Sequence, residues 1–522
     1  MSSIPRSKAD WANSTGQASR KERTPSACTL MDTLIAAGGV LLVVTVGIIA
    51  NHRCIHWFIA PVAASGVITG RHVVAWLRGR LDTFDPLAII AILWFNSTCL
   101  APILHVAWDA SAPMFGHVPD ARFWFGYMGG LNLLGLAVFH LAERSSCRIT
   151  QATSSFRHIH PGTFNSALVF ALIVSGASAG VIFGKYGGLR QDLEIATTTH
   201  LSWLMMLGDP FALLMLVGIV RMLSGRRRAL LLVTALLMSL LLCESLLLGL
   251  RGSRSAMIAP MIIGGALCHY HLRRIPVVYV LIGALLLGVG GYYYKFYKRF
   301  GVAGFAAVQD PTYRAMLSHR GGISPTSVLL GDLSRAEVQA YLLYRFSDRG
   351  SDYQLRLGKT YLASALSVIP RAVWPNKPTD QFGKVRAGTE LQFGTNAYRP
   401  VRFESSLVYG LAGEALLNFG PVGVPFAYLL FGLGIGWYRR KLGSLLPFDA
   451  RLYLAPVMTI GAFTAAFGDS DNTAFAVLKN GLLLLAVVYL GSRRAGHSGL
   501  FDSREQRRVQ AGGRAGRSLS RY

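Results

Sequence analysis

Twelve apolar runs of about membrane length, interrupted once by a long polar stretch, constrain this chain more than any other feature. Nine precede Lys295 and three follow Asn418. They cover residues 30–50, 55–77, 86–107, 123–142, 164–184, 201–222, 229–249, 255–270, 276–293, 418–437, 451–468 and 474–491. Roughly 20 residues of helix span a hydrocarbon core. A chain that is 52% hydrophobic and 15% charged is therefore expected to be an all-α polytopic membrane protein with about twelve transmembrane helices. The second run carries Arg71 and His72, and the eighth is short.

Charge sets the expected topology. A formal net charge of +26 would point to nucleic acid in a soluble chain, but much of it here sits in short loops and tails beside apolar runs. Inside-positive topology and anionic head groups account for it, and no nucleic-acid partner is expected. With the N-terminus inside, one side collects Arg78 and Arg80; Arg144, Arg148 and Arg157; Arg226 to Arg228; Arg273 and Arg274; Arg439, Arg440 and Lys441; and Arg493 and Arg494. Both termini are then cytoplasmic. The expected organisation is a cytoplasmic tail over 1–29, spans one to nine over 30–293, one large extracytoplasmic loop over 294–417, spans ten to twelve over 418–491, and a basic tail over 492–522. The first run reads as a retained helix rather than a signal peptide, because no small-residue cleavage site follows it.

Within the loop, Phe305–Val308 and Tyr341–Tyr344 read as short helices, and Tyr361–Ile369 as a stretch lying along the membrane surface. Gly176, Gly180 and Gly184 recur every four residues and should line a packing face; Gly288, Gly290 and Gly291 should serve packing in the same way. The six cysteines form no CxxC and no disulfide framework.

Three constellations could carry chemistry. Arg251-Gly252-Ser253-Arg254 follows the seventh run, where a tight turn would present two guanidiniums to phosphate oxygens or anchor a helix end. The segment Pro370-Arg371-Ala372-Val373-Trp374-Pro375-Asn376-Lys377-Pro378 is stiffened by three prolines. It suits a preorganised anion site with Arg371 and Lys377, and Trp374 could stack on a sugar; a Pro-rich surface turn with an interfacial Trp is the alternative. Arg and Lys beyond the bilayer need a reason, and an anionic lipid-linked substrate supplies one. The third constellation is Glu404-Ser405-Ser406, then Glu414 and Asn418, which share a helix face at a spacing of four. A carboxylate at the mouth of the tenth span could take a proton from a sugar hydroxyl, or could cap a helix or pair with Arg. His52, Cys54 and His56, or Cys268, His269 and His271, form no familiar closed metal site, so neither a metal nor a cofactor is expected.

Taken in order, Gly252-Ser253-Arg254, the stretch from Gly358-Lys359-Thr360-Tyr361 to Trp374-Pro375-x-Lys377-Pro378, and Gly413-Glu414-x-x-x-Asn418-Phe419-Gly420 resemble the O-antigen polymerases, the Wzy-type oligosaccharide repeat-unit polymerases. Asp85-Pro86 is similar to a motif seen early in such chains. The resemblance implies a GT-C-like membrane glycosyltransferase that joins repeat units carried on undecaprenyl diphosphate at the outer face of a bacterial inner membrane, without metal or nucleotide sugar. It implies catalytic roles for Glu404, Glu414 and Arg371, and substrate binding by Arg251, Arg254, Lys377, Trp374 and Asn418. Its expected partners are a polyprenyl-diphosphate-linked oligosaccharide, the lipid bilayer, a chain-length regulator and a flippase. An O-antigen ligase-like transferase and a transporter or flippase of anionic substrates are the alternative functions.

Overall fold

The computed structural model describes residues 28–110, 118–148, 156–186, 202–224, 238, 240–242, 254–348, 351–369, 373–395, 397–398, 407–446 and 449–494. The chain is an all-α polytopic membrane protein. Eight helical stretches among the described residues are long and apolar enough to cross a bilayer: Leu30–Ala50, Pro86–Ala107, Ala121–Ser146, Pro161–Ile182, Met206–Leu223, Val277–Phe300, Ala450–Phe467 and Ser470–Leu490. Three more long helices, α2 (Ile59–Leu77), α9 (Arg254–His271) and α16 (Gly423–Ser444), stand among them. The seventh expected span, 229–249, lies almost wholly outside the described residues.

Local rules set the starts of these helices. In α1 (Leu30–Ala50) the Thr29 hydroxyl accepts from the Asp32 amide and Asp32 reaches back to the Thr29 amide, a reciprocal cap. Asp85 accepts from the Leu87 amide and Pro86 opens α3 (Pro86–Phe95). That third span continues through a π turn at Asn96–Leu100 into α4 (Ala101–Ala107), and Asn96 donates across to Leu329 O and Leu333 O.

α5 (Ala121–Arg148) packs along α16. A Cβ on Gly432 would lie 2.5 Å from Phe139 O, and one on Gly436 2.5 Å from Glu143 O, so small residues at a spacing of four let these two helices touch backbone to backbone. On α6 (Pro161–Tyr186), a Cβ on Gly176 would lie 3.0 Å from the Phe211 ring, so the glycine packs closely there as expected. Gly180 meets nothing within 4 Å, so the packing face is narrower than the sequence spacing implied. Gly288, Gly290 and Gly291 on α10 (Val277–Phe300) likewise face open space and pack against nothing described.

The sixth span is broken. α7 (Ser202–Gly208) stops at Asp209-Pro210, and α8 (Phe211–Leu223) resumes. Here the Pro supplies no amide to continue the ladder.

The long polar segment folds onto one end of the bundle. It contains α11 (Pro311–Gly321), α12 (Ala336–Ser347), α13 (Lys359–Ser367), α14 (Lys384–Phe393) and α15 (Gly410–Phe419). Ala340, Leu342 and Leu343 of α12 are fully buried in the same cores as Val62, Ile103, Leu136 and Leu417. Tyr341–Tyr344, expected as a short helix, is helical and forms the middle of the longer α12. Instead of lying alone on a surface, α13 packs against α18 (Ser470–Leu490), with Thr360, Ala363 and Ser364 buried. The tenth span was expected to begin at 418. The chain instead breaks at Gly420, whose φ of +67° ends α15, and Pro421 leads into α16.

At the other end the described members of the basic clusters gather. Strand β1 (Arg157–Ile159) pairs antiparallel with β2 (Ser492–Arg494), Thr83 donates to Ile275 O, and Arg78, Arg80 and Arg439 meet carboxylates. The sequence-derived grouping of these loops on one side therefore holds for the described residues.

A buried carboxylate where the polar segment meets the last hairpin

The last two spans, α17 (Ala455–Phe467) and α18, form a hairpin whose tip is Gly468-Asp469. Helices α13, α14 and α15 close over that tip. Glu414 of α15 is 3% exposed and Asn418, one turn on, is fully buried. Their shared face is as the spacing of four required.

Glu414 Oε1 accepts from the Thr360 hydroxyl at 2.7 Å and from the Ser470 hydroxyl at 2.6 Å; Oε2 accepts from the Ser470 amide at 2.6 Å. Burial raises the Glu414 pKa above the usual carboxylate range, and the nearby Asp469 charge adds to it. The hydrogen bonds from Ser470 and Thr360 oppose that rise in part. Ser470 is half-buried, and its hydroxyl also sits 2.6 Å from that of Ser364.

Asn418 caps α13 from a distance. Its Oδ1 accepts from Gly358 N at 3.0 Å and Thr360 N at 3.4 Å, and its amide donates to Thr360 Oγ1 at 2.7 Å. To meet it, the chain turns through Leu357 and Gly358 at φ values of +48° and +86°. A leucine in that region is strained, and such strain tends to persist at working sites.

Asp469 is 1% exposed. Its Oδ1 accepts from the Tyr409 and Gly410 amides at 2.9 and 3.0 Å, and Oδ2 meets Lys384 Nζ at 2.6 Å. Lys384 also meets Asp471 at 2.9 Å. Burial pulls the Lys384 pKa down, but the two aspartates outweigh it and hold the ammonium charged. Behind Tyr409, Gln339 of α12 donates to its carbonyl at 3.0 Å. Lys359, at the first turn of α13 beside Thr360, is exposed, with its ammonium 5.8 Å from the Phe382 ring centre.

The other sequence candidates are placed as follows. Arg251, Arg371 and Glu404 lie outside the described residues, and Arg254 is the first residue of α9 with its side chain undescribed. Trp374 is 42% exposed in the turn after α13. Lys377 donates to Ile369 O at 2.7 Å, Ser367 O at 3.1 Å and Leu366 O at 3.4 Å, so its ammonium caps the end of α13. Asn418 is a buried cap facing the interior. His269 turns to Asp82 at 3.2 Å and His271 stacks on the Tyr453 ring. Among the described residues no three His, Cys, Asp or Glu side chains converge as a metal site.

The sequence reading missed Asp469, Lys384, Thr360 and Ser470. Residues 469–473 read from the sequence only as a short segment between two spans. One signal was present: Thr360 stands in the Gly358-Lys359-Thr360 motif already singled out. Comparisons with protein-family models, with curated proteins and with solved structures found no match for this chain.

Proposed function

We propose that this protein is a membrane glycosyltransferase that polymerises polyprenyl-diphosphate-linked oligosaccharide repeat units. The observation that carries the reading is the state of Glu414. A buried carboxylate answered by two hydroxyls and an amide, beside a second carboxylate, is costly for stability and suited to proton transfer. In the reaction, a hydroxyl oxygen of one repeat unit bonds to the anomeric carbon of the growing glycan. The bond from that carbon to the diphosphate oxygen breaks, and polyprenyl diphosphate leaves with the electron pair. The hydroxyl proton passes to Glu414 directly or through the half-buried Ser470 hydroxyl.

Charge on the departing diphosphate is met by Arg371, Arg254 and the exposed Lys359 at the head of α13. Lys377 acts as a positioning residue, because its bonds to α13 carbonyls fix the segment just after Arg371. Glu404 is the second candidate base, and Trp374 a stacking surface for sugar. Twelve spans, with α12 to α15 on the outer side of a bacterial inner membrane, complete the reading.

The test is polymer formation from the lipid-linked unit in membranes holding the full chain. Glu414→Gln keeps the shape and removes the base, and should lower turnover by about 10²–10³-fold. A polymer ladder equal to wild type, at equal protein level, would refute the assignment.

One observation favours a second reading, a transporter. Lys479, midway along α18, pairs at 2.7 Å with Asp209 at the break between α7 and α8. Ion pairs at membrane depth and interrupted helices are transporter features. Movement of a labelled lipid-linked unit across liposomes holding the protein, with no polymer formed, would favour it.

A further inference from the structure

We propose that a cavity joined to the carboxylate site through α12 is a saccharide-binding subsite, which receives the glycan of a lipid-linked substrate; the identity of that substrate rests on the glycosyltransferase reading. The cavity has a volume of about 390 Å³ and opens where α4 ends, α5 begins and α12 starts. Its polar lining is Arg53, His105, Asp109, Asp120, Arg122 and Glu337. The size is that of a small-molecule pocket.

The lining selects the ligand class. Three carboxylates face two guanidiniums and an imidazole, so the pocket has no excess positive charge for a diphosphate. A sugar presents hydroxyls that both donate and accept. Carboxylates take the donated hydrogens, and guanidiniums fill the acceptors in pairs. The edge of Phe125, a buried ring stacked on His105 with centroids 5.4 Å apart, lines the cavity.

The groups are held in place before any ligand arrives. Arg122 donates from Nε to Asp120 Oδ1 at 2.8 Å and from Nη2 to Oδ2 at 3.3 Å. His105, 6% exposed, is fixed by Ala110 O at 2.6 Å. Asp109 and Asp120 have φ values of +46° and +43°. Among the described residues three non-glycine positions adopt that region; these two line the cavity, and Leu357 lies at the carboxylate site. Both sites are at the same end of the bundle, joined by one helix. Glu337, in the first turn of α12, lines the cavity, while Gln339 holds Tyr409, whose amide bonds Asp469. A glycan crossing the first turn of α12 would link the two.

Two measurements on the full chain in lipid nanodiscs test this. In the first, polymerisation is followed against concentration of the polyprenyl-diphosphate-linked unit, for wild type, Glu337→Gln and Arg122→Ala. Each variant should raise the half-saturating concentration about tenfold, the loss of one charge-assisted hydrogen bond, and by more than it lowers turnover. Glu414→Gln should do the reverse. The second measures binding to an array of bacterial oligosaccharides, where the same two variants should weaken a bound glycan by a similar factor. Equal unfolding temperatures show that the variants fold.

Wild-type polymer formation with unchanged half-saturation and unchanged array binding in both variants overturns the subsite. Array binding that depends on Glu337 and Arg122, without any polymer from wild type, upholds the subsite and overturns the glycosyltransferase reading. No glycan bound and no polymer formed overturns both.

Discussion

Glu414 is buried differently from the carboxylates at the basic end of this bundle and from its own neighbours Asp469 and Glu390, which meet Lys384 and Arg386. At the basic end every buried carboxylate just described meets a guanidinium. Arg439 grips Asp85 through Nε at 3.0 Å and Nη2 at 2.8 Å, and also bonds Glu143. Asp32, fully buried, is held by Arg78 at 3.0 Å and Arg80 at 2.9 Å. These pairs join the starts of α1 and α3 to the ends of α2, α5 and α16. At the other end Glu414 is answered by Thr360 and Ser470 and forms no ion pair with a described residue. Lys384 is close by but bonds Asp469 and Asp471 instead. The first arrangement neutralises charge and locks helices together. The second withholds a cation from a buried acid, an arrangement that suits the proton transfer proposed for Glu414.

The largest effect expected from this difference is on stability at the basic end. Arg439→Ala would remove the buried guanidinium that Asp85 and Glu143 share. Breaking such a pair costs about 3–5 kcal/mol. Glu414→Gln removes a charge that burial already disfavours, so it should leave the unfolding temperature near that of wild type. Thermal unfolding of the two purified variants checks this. Equal destabilisation by both would mean that Glu414 is as structural as the clamp.

A smaller effect concerns pH. Burial and the neighbouring Asp469 raise the Glu414 pKa, so the folded state holds that proton more tightly than the unfolded chain does. The stability linked to Glu414 is therefore fully present below the ordinary carboxylate range and is lost as pH rises through the raised value. The base proposed here must be deprotonated, so polymer formation should climb with pH through the same raised value. Asp469→Asn removes the like charge and should move that climb to lower pH. A pH–rate profile unmoved by Asp469→Asn would separate the two carboxylates and weaken the comparison.

How much of this could be read from the sequence differs by region for a physical reason. Span composition is local, so the run at 30–50 reappears as Leu30–Ala50, and Asp85-Pro86 was legible as a helix start. The spacing of Glu414 and Asn418 put both on one face, and both are buried there. The break after Phe419 could also have been read, since Gly420-Pro421 is a strong helix stop; the apolar residues on either side concealed it. What no local pattern contains is pairing at long separation. Lys384 and Asp469 are 85 positions apart, and Glu414 and Ser470 are 56. Their meeting depends on α13 to α15 folding back over the final hairpin. Periodicity carries no information about that step, because the segment's helices are short and mixed in composition.

The smallest expected effect is the one that best sharpens the contrast within the polar segment itself. Lys377 and Glu414 were both read from the sequence as chemical groups, but Lys377 sits on three carbonyls at the end of α13. A cation at a helix C-terminus contributes about 0.3–1 kcal/mol. Lys377→Ala should therefore loosen the last turn of α13, seen as faster amide exchange around Ala365–Ser367, and reduce polymerisation only modestly. Direct contact with the departing diphosphate would instead make Lys377→Ala cost about 10²–10³ in turnover with α13 exchange unchanged. The ratio of those two readouts decides whether the ammonium holds the protein's own backbone or the proposed diphosphate. Because the same segment carries Arg371, a loosened α13 should also make the reaction more salt-sensitive, as a diphosphate contact that is less rigidly presented is more easily screened.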